Sequence, residues 1–185
     1  MDDAPPETLL CTPDAWPYLD STPRHEKLKG WLKDNGIDPS DVPAKTDLKI
    51  VHQPDGPVID HWVYLRNKAG ARYVDPDNPN QAAMENRVTL CRTPPPRPRR
   101  SDITTRALLQ CITDRRNLRE GVSFIDSLKI PTAWDVLCEV YPDKVVAAAL
   151  FRENDRDLLN YGVNVTHSFL TAEGVLRLIK LGGQP

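Results

Sequence analysis

The sequence predicts an α+β protein in two parts: a small helix-plus-antiparallel-sheet domain, followed by a helical domain that contains a β-hairpin. Three observations carry this expectation. Residues 48–74 are rich in β-branched and aromatic side chains, broken by Gln53-Pro54-Asp55-Gly56 and Asn67-Lys68-Ala69-Gly70. Residues 101–156 instead repeat their apolar positions with helical period. Between them stands Thr93-Pro94-Pro95-Pro96-Arg97-Pro98-Arg99-Arg100, whose consecutive prolines favour a stiff extended spacer. A chain of 185 residues is long enough to bury two small cores.

Residues 1–23 are punctuated by proline and read as an extended arm in which Leu9, Leu10, Trp16, Tyr18 and Leu19 can dock on a neighbour. A short helix is expected over 24–35, because Leu28, Trp31 and Leu32 share one face and Gly36 follows as a stop. Strands are expected at 48–52, 58–66 and 71–74, a second short helix near 80–86, and a fourth strand at 87–91. The first domain is thus 24–92 and the linker 93–100.

The second domain, 101–185, opens with a helix capped by Ser101 or Asp102, with Ala107, Leu108, Cys111, Ile112 and Arg115 on one face and Arg106, Gln110, Thr113 and Arg116 on the other. Residues 120–131 are a connector. Thr132 caps the next helix, with Ala133, Val136, Leu137 and Val140 as its stripe. Tyr141-Pro142-Asp143 breaks that helix, and a new one starts behind the proline and runs over 143–156. After the turn Asn160-Tyr161-Gly162, the residues Val163, Val165, His167 and Phe169 alternate with Asn164, Thr166 and Ser168, which predicts a strand with one buried face. Thr171 caps a last helix whose Val175, Leu178 and Ile179 point inward.

The order helix, tight turn, helix, hairpin, helix, with a Leu-Thr-x-x-Gly box at Leu170-Thr171-Ala172-Glu173-Gly174, resembles the winged helix-turn-helix. The same tail also looks like segments of small uncharacterised proteins of actinobacteria and their phages. The resemblance covers a quarter to a third of the chain. It implies a module that binds DNA or, in some members, protein.

Charge sharpens that expectation. Eight arginines (Arg92, Arg97, Arg99, Arg100, Arg106, Arg115, Arg116, Arg119) face only Asp102 and Asp114 between 92 and 119, a net +6 that leaves −8 for the rest of a chain totalling −2. A basic segment in an otherwise acidic chain directs a polyanion to one place. Arg97, Arg99 and Arg100 suit a minor groove, and Arg106, Arg115, Arg116 and Arg119 suit phosphates. The helix over 143–156 offers only Lys144 near its start, where base reading wants Arg, Asn or Gln. Phe151 on that helix is a candidate anchor for a protein partner, and Trp62 and Tyr64 on one face of the central strand are a candidate contact patch as the alternative to a core role for Trp62. Duplex DNA, a protein partner and a homodimer are therefore the expected associations, and residues 163–169 the expected wing.

Chemistry is expected to be absent. His25, His52, His61 and His167 are scattered, and His167 reads as a packed residue of the last strand. Two histidines across a hairpin do not complete a zinc site. Cys11, Cys91, Cys111 and Cys138 are far apart without CxxC, which predicts buried reduced thiols. No nucleophile elbow, phosphate loop or HExxH motif occurs, so no cofactor, metal or catalytic residue is expected. The acidic N-terminus lacks an apolar h-region, and no apolar run reaches the ~18 residues of a membrane span. The expected location is the cytoplasm. Trp16, Trp31, Trp62 and Trp134 are expected as core anchors.

Overall fold

Glu7–Cys11 (β1), Leu48–Gln53 (β2), Gly56–Tyr64 (β3) and Met84–Leu90 (β4) pair antiparallel in the order β1-β2-β3-β4 in the computed structural model, which describes residues 7–162 and 164–185. Together with the helices of both units this makes an α+β protein. The chain divides into two units, one holding the residues through Trp16 together with Lys27–Pro96, the other Pro17–Glu26 with Arg97–Pro185.

In the first unit the pleat sets Leu48 and Ile50 of β2 and Ile59, His61 and Val63 of β3 on one face, all buried. Helix α2 (Pro23–Asp34) brings Leu28, Trp31 and Leu32, each about 4% exposed, to the same core. It stops at Gly36, whose φ of 79° suits a residue without a β-carbon. Asn35, buried behind this stop, fastens the chain beyond the sheet. Its Oδ1 accepts from Arg92 N (2.7 Å) and Thr93 N (3.1 Å), and its Nδ2 donates to Trp31 O (2.8 Å) and Thr93 Oγ1 (2.9 Å). Trp31 Nε1 donates to Thr93 O at 2.8 Å. Asn35→Ala strands two backbone N–H groups and is expected to cost about 2 kcal/mol. Urea titration of the full chain measures it.

Three expectations for this unit are corrected. The arm at 1–23 holds regular structure in its described part: Glu7–Cys11 completes the free side of β2, with a bulge between Leu9 and Cys11, and Trp16–Leu19 forms a single helical turn, α1. Residues 1–6 lie outside the described residues. The third strand at 71–74 reduces to isolated bridges, Arg66 with Arg72 and Val74 with Ala82. Here Asn67 Oδ1 accepts from Ala69 N and Ala71 N, so local turn bonds take the place of a ladder. The helix at 80–86 does not form. Asp75 and Asn78 side chains build turns by accepting from Asp77 N and Asn80 N, and Met84–Leu90 then pairs along the whole of β3.

The second unit contains α3 (Thr105–Asn117), a single turn α4 (Phe124–Ser127), α5 (Ala133–Cys138), α6 (Asp143–Asn154), the two-residue strands β5 (Leu159–Asn160) and β6 (Phe169–Leu170), and α7 (Ala172–Lys180). α4 stands within the expected connector. Its core joins Leu108, Leu109, Cys111 and Ile112 of α3 to Val136 and Leu137 of α5, Val146, Ala149 and Leu150 of α6, and Leu178 of α7. The corner at Tyr141-Pro142 separates α5 from α6, with Pro142 extended (φ −59°, ψ 140°) ahead of Asp143. The segment Pro17–Glu26 belongs to this unit because Arg24, 1% exposed, lies in the field of Tyr141 and Asp102, and Tyr18 Oη donates to Asp114 Oδ2 at 3.0 Å. Burial pulls the Arg24 guanidinium below its usual pKa, and the Tyr141 and Asp102 fields oppose that shift.

The cap of α3 is Thr104, whose hydroxyl accepts from Ala107 N at 3.2 Å; Ser101 and Asp102 instead sit in a 3-10 turn over Arg100–Asp102, with Asp102 Oδ2 accepting from Arg99 N. The strand expected at 163–169 is the largest correction. Val163 lies outside the described residues. Val165–His167 forms a 3-10 turn because Asn164 Oδ1 accepts from Thr166 N (3.0 Å) and Ser168 Oγ donates to Val165 O (2.6 Å). These side-chain bonds outcompete the period-two pattern and leave two residues for the hairpin, pairing Leu159 with Leu170 and Asn160 with Phe169. His167 and Phe169 are exposed rather than packed. In α7 only Gly174 and Leu178 are buried, while Ile179 is 50% exposed and Val175 half-buried.

Thr171 and Gly174 show why the box at the head of α7 has its form. Thr171 N donates to Leu158 O (3.1 Å), Thr171 Oγ1 donates to Asp157 O (2.6 Å), and the same oxygen accepts from Gly174 N (3.0 Å). The first turn of α7 therefore rests on the backbone of Leu158, whose carbonyl occupies the space a β-carbon at Gly174 would need.

Candidate nucleic-acid interface

The last turns of α3 carry Arg115 and Arg116, and Arg119 follows one turn beyond Arg115. Cations there suit the negative end of the helix dipole, which is a sufficient structural reason for their presence. They are also gathered by the neighbouring elements. Thr132 and Asp135 close a capping box at the head of α5, in which Asp135 Oδ2 accepts from Thr132 N (2.7 Å) and Thr132 Oγ1 (2.8 Å). This cap directs Trp134 across from the arginines, two residues before the buried Val136. The 3-10 turn at Val165–His167 supplies a third wall with Thr166, His167, Ser168 and Phe169.

The three walls enclose a recess of about 210 Å³ above Ile112 and Leu150. A second recess of about 720 Å³ shares Arg119, Thr132, Trp134, Thr166 and His167 and continues past Ser127–Pro131. Arg119 stands where the two meet. Its Nη2 donates to Ile130 O at 2.5 Å, and its buried Nε has no hydrogen-bond partner among the described residues. Arg116 reaches Glu120 at 3.8 Å with both side chains about two-thirds exposed, a pair too hydrated to neutralise it firmly. Lys129, on the wall of the second recess, pairs with Asp126 at 2.9 Å. Asp135 is the carboxylate on that wall, and it is engaged at the α5 cap. The recess thus combines guanidinium donors, hydroxyls (Thr132, Thr166, Ser168), an indole and an imidazole, which suits an anion carried on a flat or apolar body.

Of the residues singled out from sequence, Arg115, Arg116 and Arg119 come together here. Arg106 lies nine residues before Arg115, roughly half a turn around α3, and donates to Gly182 O at 3.4 Å. Arg97, Arg99 and Arg100 are exposed along the run into α3, with the Arg100 carbonyl accepting from Arg152 Nη1 at 3.1 Å. Lys144 is exposed on α6 but six residues from the groove-lining Leu150, about 120° around the helix, so it faces elsewhere. The exposed side of α6 also carries Phe151, 44% exposed and edge-on to Tyr161 at 6.0 Å. In the first unit Trp62 is 37% exposed, while the Tyr64 ring is covered by the Arg72 guanidinium at 4.0 Å.

Trp134 and His167 are the groove residues that patterning misses. Trp134 is half-buried and His167 exposed, and both face Arg119 across one cavity. The signal available for Trp134 was its offset of two from Val136, which sets it on the other side of α5.

The described residues contain no group of three or more His, Cys, Asp or Glu placed to hold a metal ion. Among them no helix is long and apolar enough to cross a membrane. Burial holds the Cys11 and Cys138 thiols up at about 12, with the charge of Asp47 adding to the first and a hydrogen bond with Asp143 to the second, so neither supplies a thiolate near neutrality. Comparison with protein-family models, with curated proteins and with solved structures finds no match to this chain.

Proposed function

We propose that the second unit is a winged-helix-like, non-enzymatic DNA-binding module that holds duplex DNA by its backbone. The observation that carries this reading is the convergence of Arg115, Arg116 and Arg119 on one groove walled by α5 and the turn before β6. The element order of α3, α5, α6, a short hairpin and α7 supports it. Phosphate contacts of this kind position a protein on DNA without reading sequence. The exposed side of α6, with Lys144, Ala147, Ala148, Phe151 and Asp155, adds little base recognition. The protein acts as a DNA-binding or regulatory factor in this reading, in the cytoplasm of an actinobacterium and encoded by the cell or by a phage.

Salt dependence tests it. Three arginine–phosphate contacts give a log–log slope of affinity against salt of about −2.7. A single Arg116→Ala change makes the slope shallower by about 0.9, to about −1.8. Failure to retard any duplex at low salt overturns the reading. A second reading rests on the apolar exposure of Phe151, Phe169, Leu176 and Ile179, between 42% and 52%, which suits a protein partner on the second unit. Recovery of a protein rather than nucleic acid, unchanged by nuclease treatment, favours it.

A further inference from the structure

Among the described residues β4 is an edge strand, and neither a proline nor a bulge blunts it. Its register with β3 runs unbroken from Tyr64–Met84 to Val58–Leu90, and it contains no proline. The opposite edge, β1, carries a bulge. Natural sheets blunt open edges because unpaired peptide groups recruit another strand. Cys91 N donates to Pro57 O (3.0 Å) and Leu65 N to Ala83 O (2.9 Å), which fixes the alternation of the ladder. Ala83, Glu85, Arg87 and Thr89 turn their peptide groups toward β3, and Met84, Asn86, Val88 and Leu90 turn theirs outward. Asn86, Val88 and Leu90 are exposed.

We propose that this edge pairs with the β4 of a second copy of the chain, antiparallel about a two-fold axis at Asn86. The charges select that register. With Asn86 opposite its own mate, Glu85 of each chain stands across from Arg87 of the other, twice, and Met84 stands across from Val88. An axis at Val88 instead places Arg87 against Thr89 and Glu85 against Cys91, which pairs no charges. An axis at Arg87 sets the two Arg87 side chains against each other and leaves Glu85 opposite Thr89. Within one chain Glu85 and Arg87 already pair with each other at the surface, so each copy presents one acid and one base spaced for its mate. Opposite charges across a ladder stabilise pairing and like charges oppose it. The result is a continuous eight-stranded sheet, since each copy contributes four strands. Its outer face carries Trp62, which lies opposite Asn86 in register. The proposal stands independently of DNA binding.

Sedimentation of the full chain over a wide concentration range tests this, with the variants E85R and R87E beside the wild type. The wild type is expected to associate to a dimer. Each variant, carrying two like charges on that face, self-associates about tenfold more weakly or worse, and an equimolar mixture of the two recovers the dimer. Far-ultraviolet circular dichroism confirms that each variant is folded. Hydrogen exchange on the wild type alone gives an independent readout: the amides of Asn86 and Val88 gain protection as concentration rises. A wild type that stays monomeric throughout overturns the proposal. So does a dimer in which those two amides keep exchanging, or one that both charge reversals leave intact.

Discussion

Reversing Arg115 and Arg116 together to glutamate is expected to weaken duplex binding by about 100-fold or more at low salt. Each lost charge-assisted contact is worth roughly 1.5–3 kcal/mol, and the new carboxylates repel phosphate besides. The cost to folding is far smaller. Acidic side chains at the last turn of α3 oppose the helix dipole by about 0.3–1 kcal/mol each. Arg116 is exposed, Arg115 half-buried. A gel-shift titration paired with a thermal melt separates the two effects. Binding that survives the double reversal unchanged shows that the groove is not where DNA sits, whatever else the protein binds.

Gly174→Ala is expected to destabilise the second unit by about 3 kcal/mol, because overpacking against a fixed backbone carbonyl cannot be relieved by a rotamer change. In a chain of this size that corresponds to a fall in melting temperature of roughly 10 °C. The added methyl meets the Leu158 carbonyl, to which Thr171 N is already bonded. Relief therefore requires α7 to lift from its seat. Gly30→Ala is the contrast: Gly30 is exposed within α2 with open space at its β-carbon. That change is expected to raise stability by about 0.5–1 kcal/mol. Equal effects of the two substitutions would mean that the Leu-Thr-x-x-Gly box has no packing role.

These positions also show what the sequence reveals and where it stops. Helices α2, α5 and α6 are legible because their apolar stripes and stops agree: Leu28, Trp31 and Leu32 with Gly36, Thr132 ahead of Val136 and Leu137, Pro142 ahead of Val145 and Val146. Strands β2 and β3 are legible for the same reason, with alternation bounded by turns. The segment 163–169 carries an equally regular alternation, yet Asn164 and Ser168 satisfy local backbone groups with their side chains, and a 3-10 turn results over Val165–His167. Periodicity does not register that competition. β4 is misread in its first half because Met84, Glu85 and Asn86 gain their conformation from β3, a partner some twenty residues away.

The candidate groove divides the same way. Arginine clustering is a one-dimensional property, so Arg115, Arg116 and Arg119 stand out at once. That Trp134 and His167 share their cavity depends on α5 and the turn before β6 meeting α3, which no local pattern encodes. Conversely Arg106 and Lys144, which composition groups with the others, are sent to different faces by helical geometry alone.

In the proposed mode of binding, the groove between α3, α5 and the 165–169 turn receives the DNA backbone. Nitrogen-15 NMR of the side-chain N–H groups tests it most directly, by titrating a short duplex at low salt into the full chain. The predicted result is a set of perturbations concentrated at the Nε–H groups of Arg115, Arg116 and Arg119 and the indole N–H of Trp134, fading as salt rises. Perturbations confined to the exposed side of α6 around Lys144 and Phe151, with those four groups unmoved, would contradict the account.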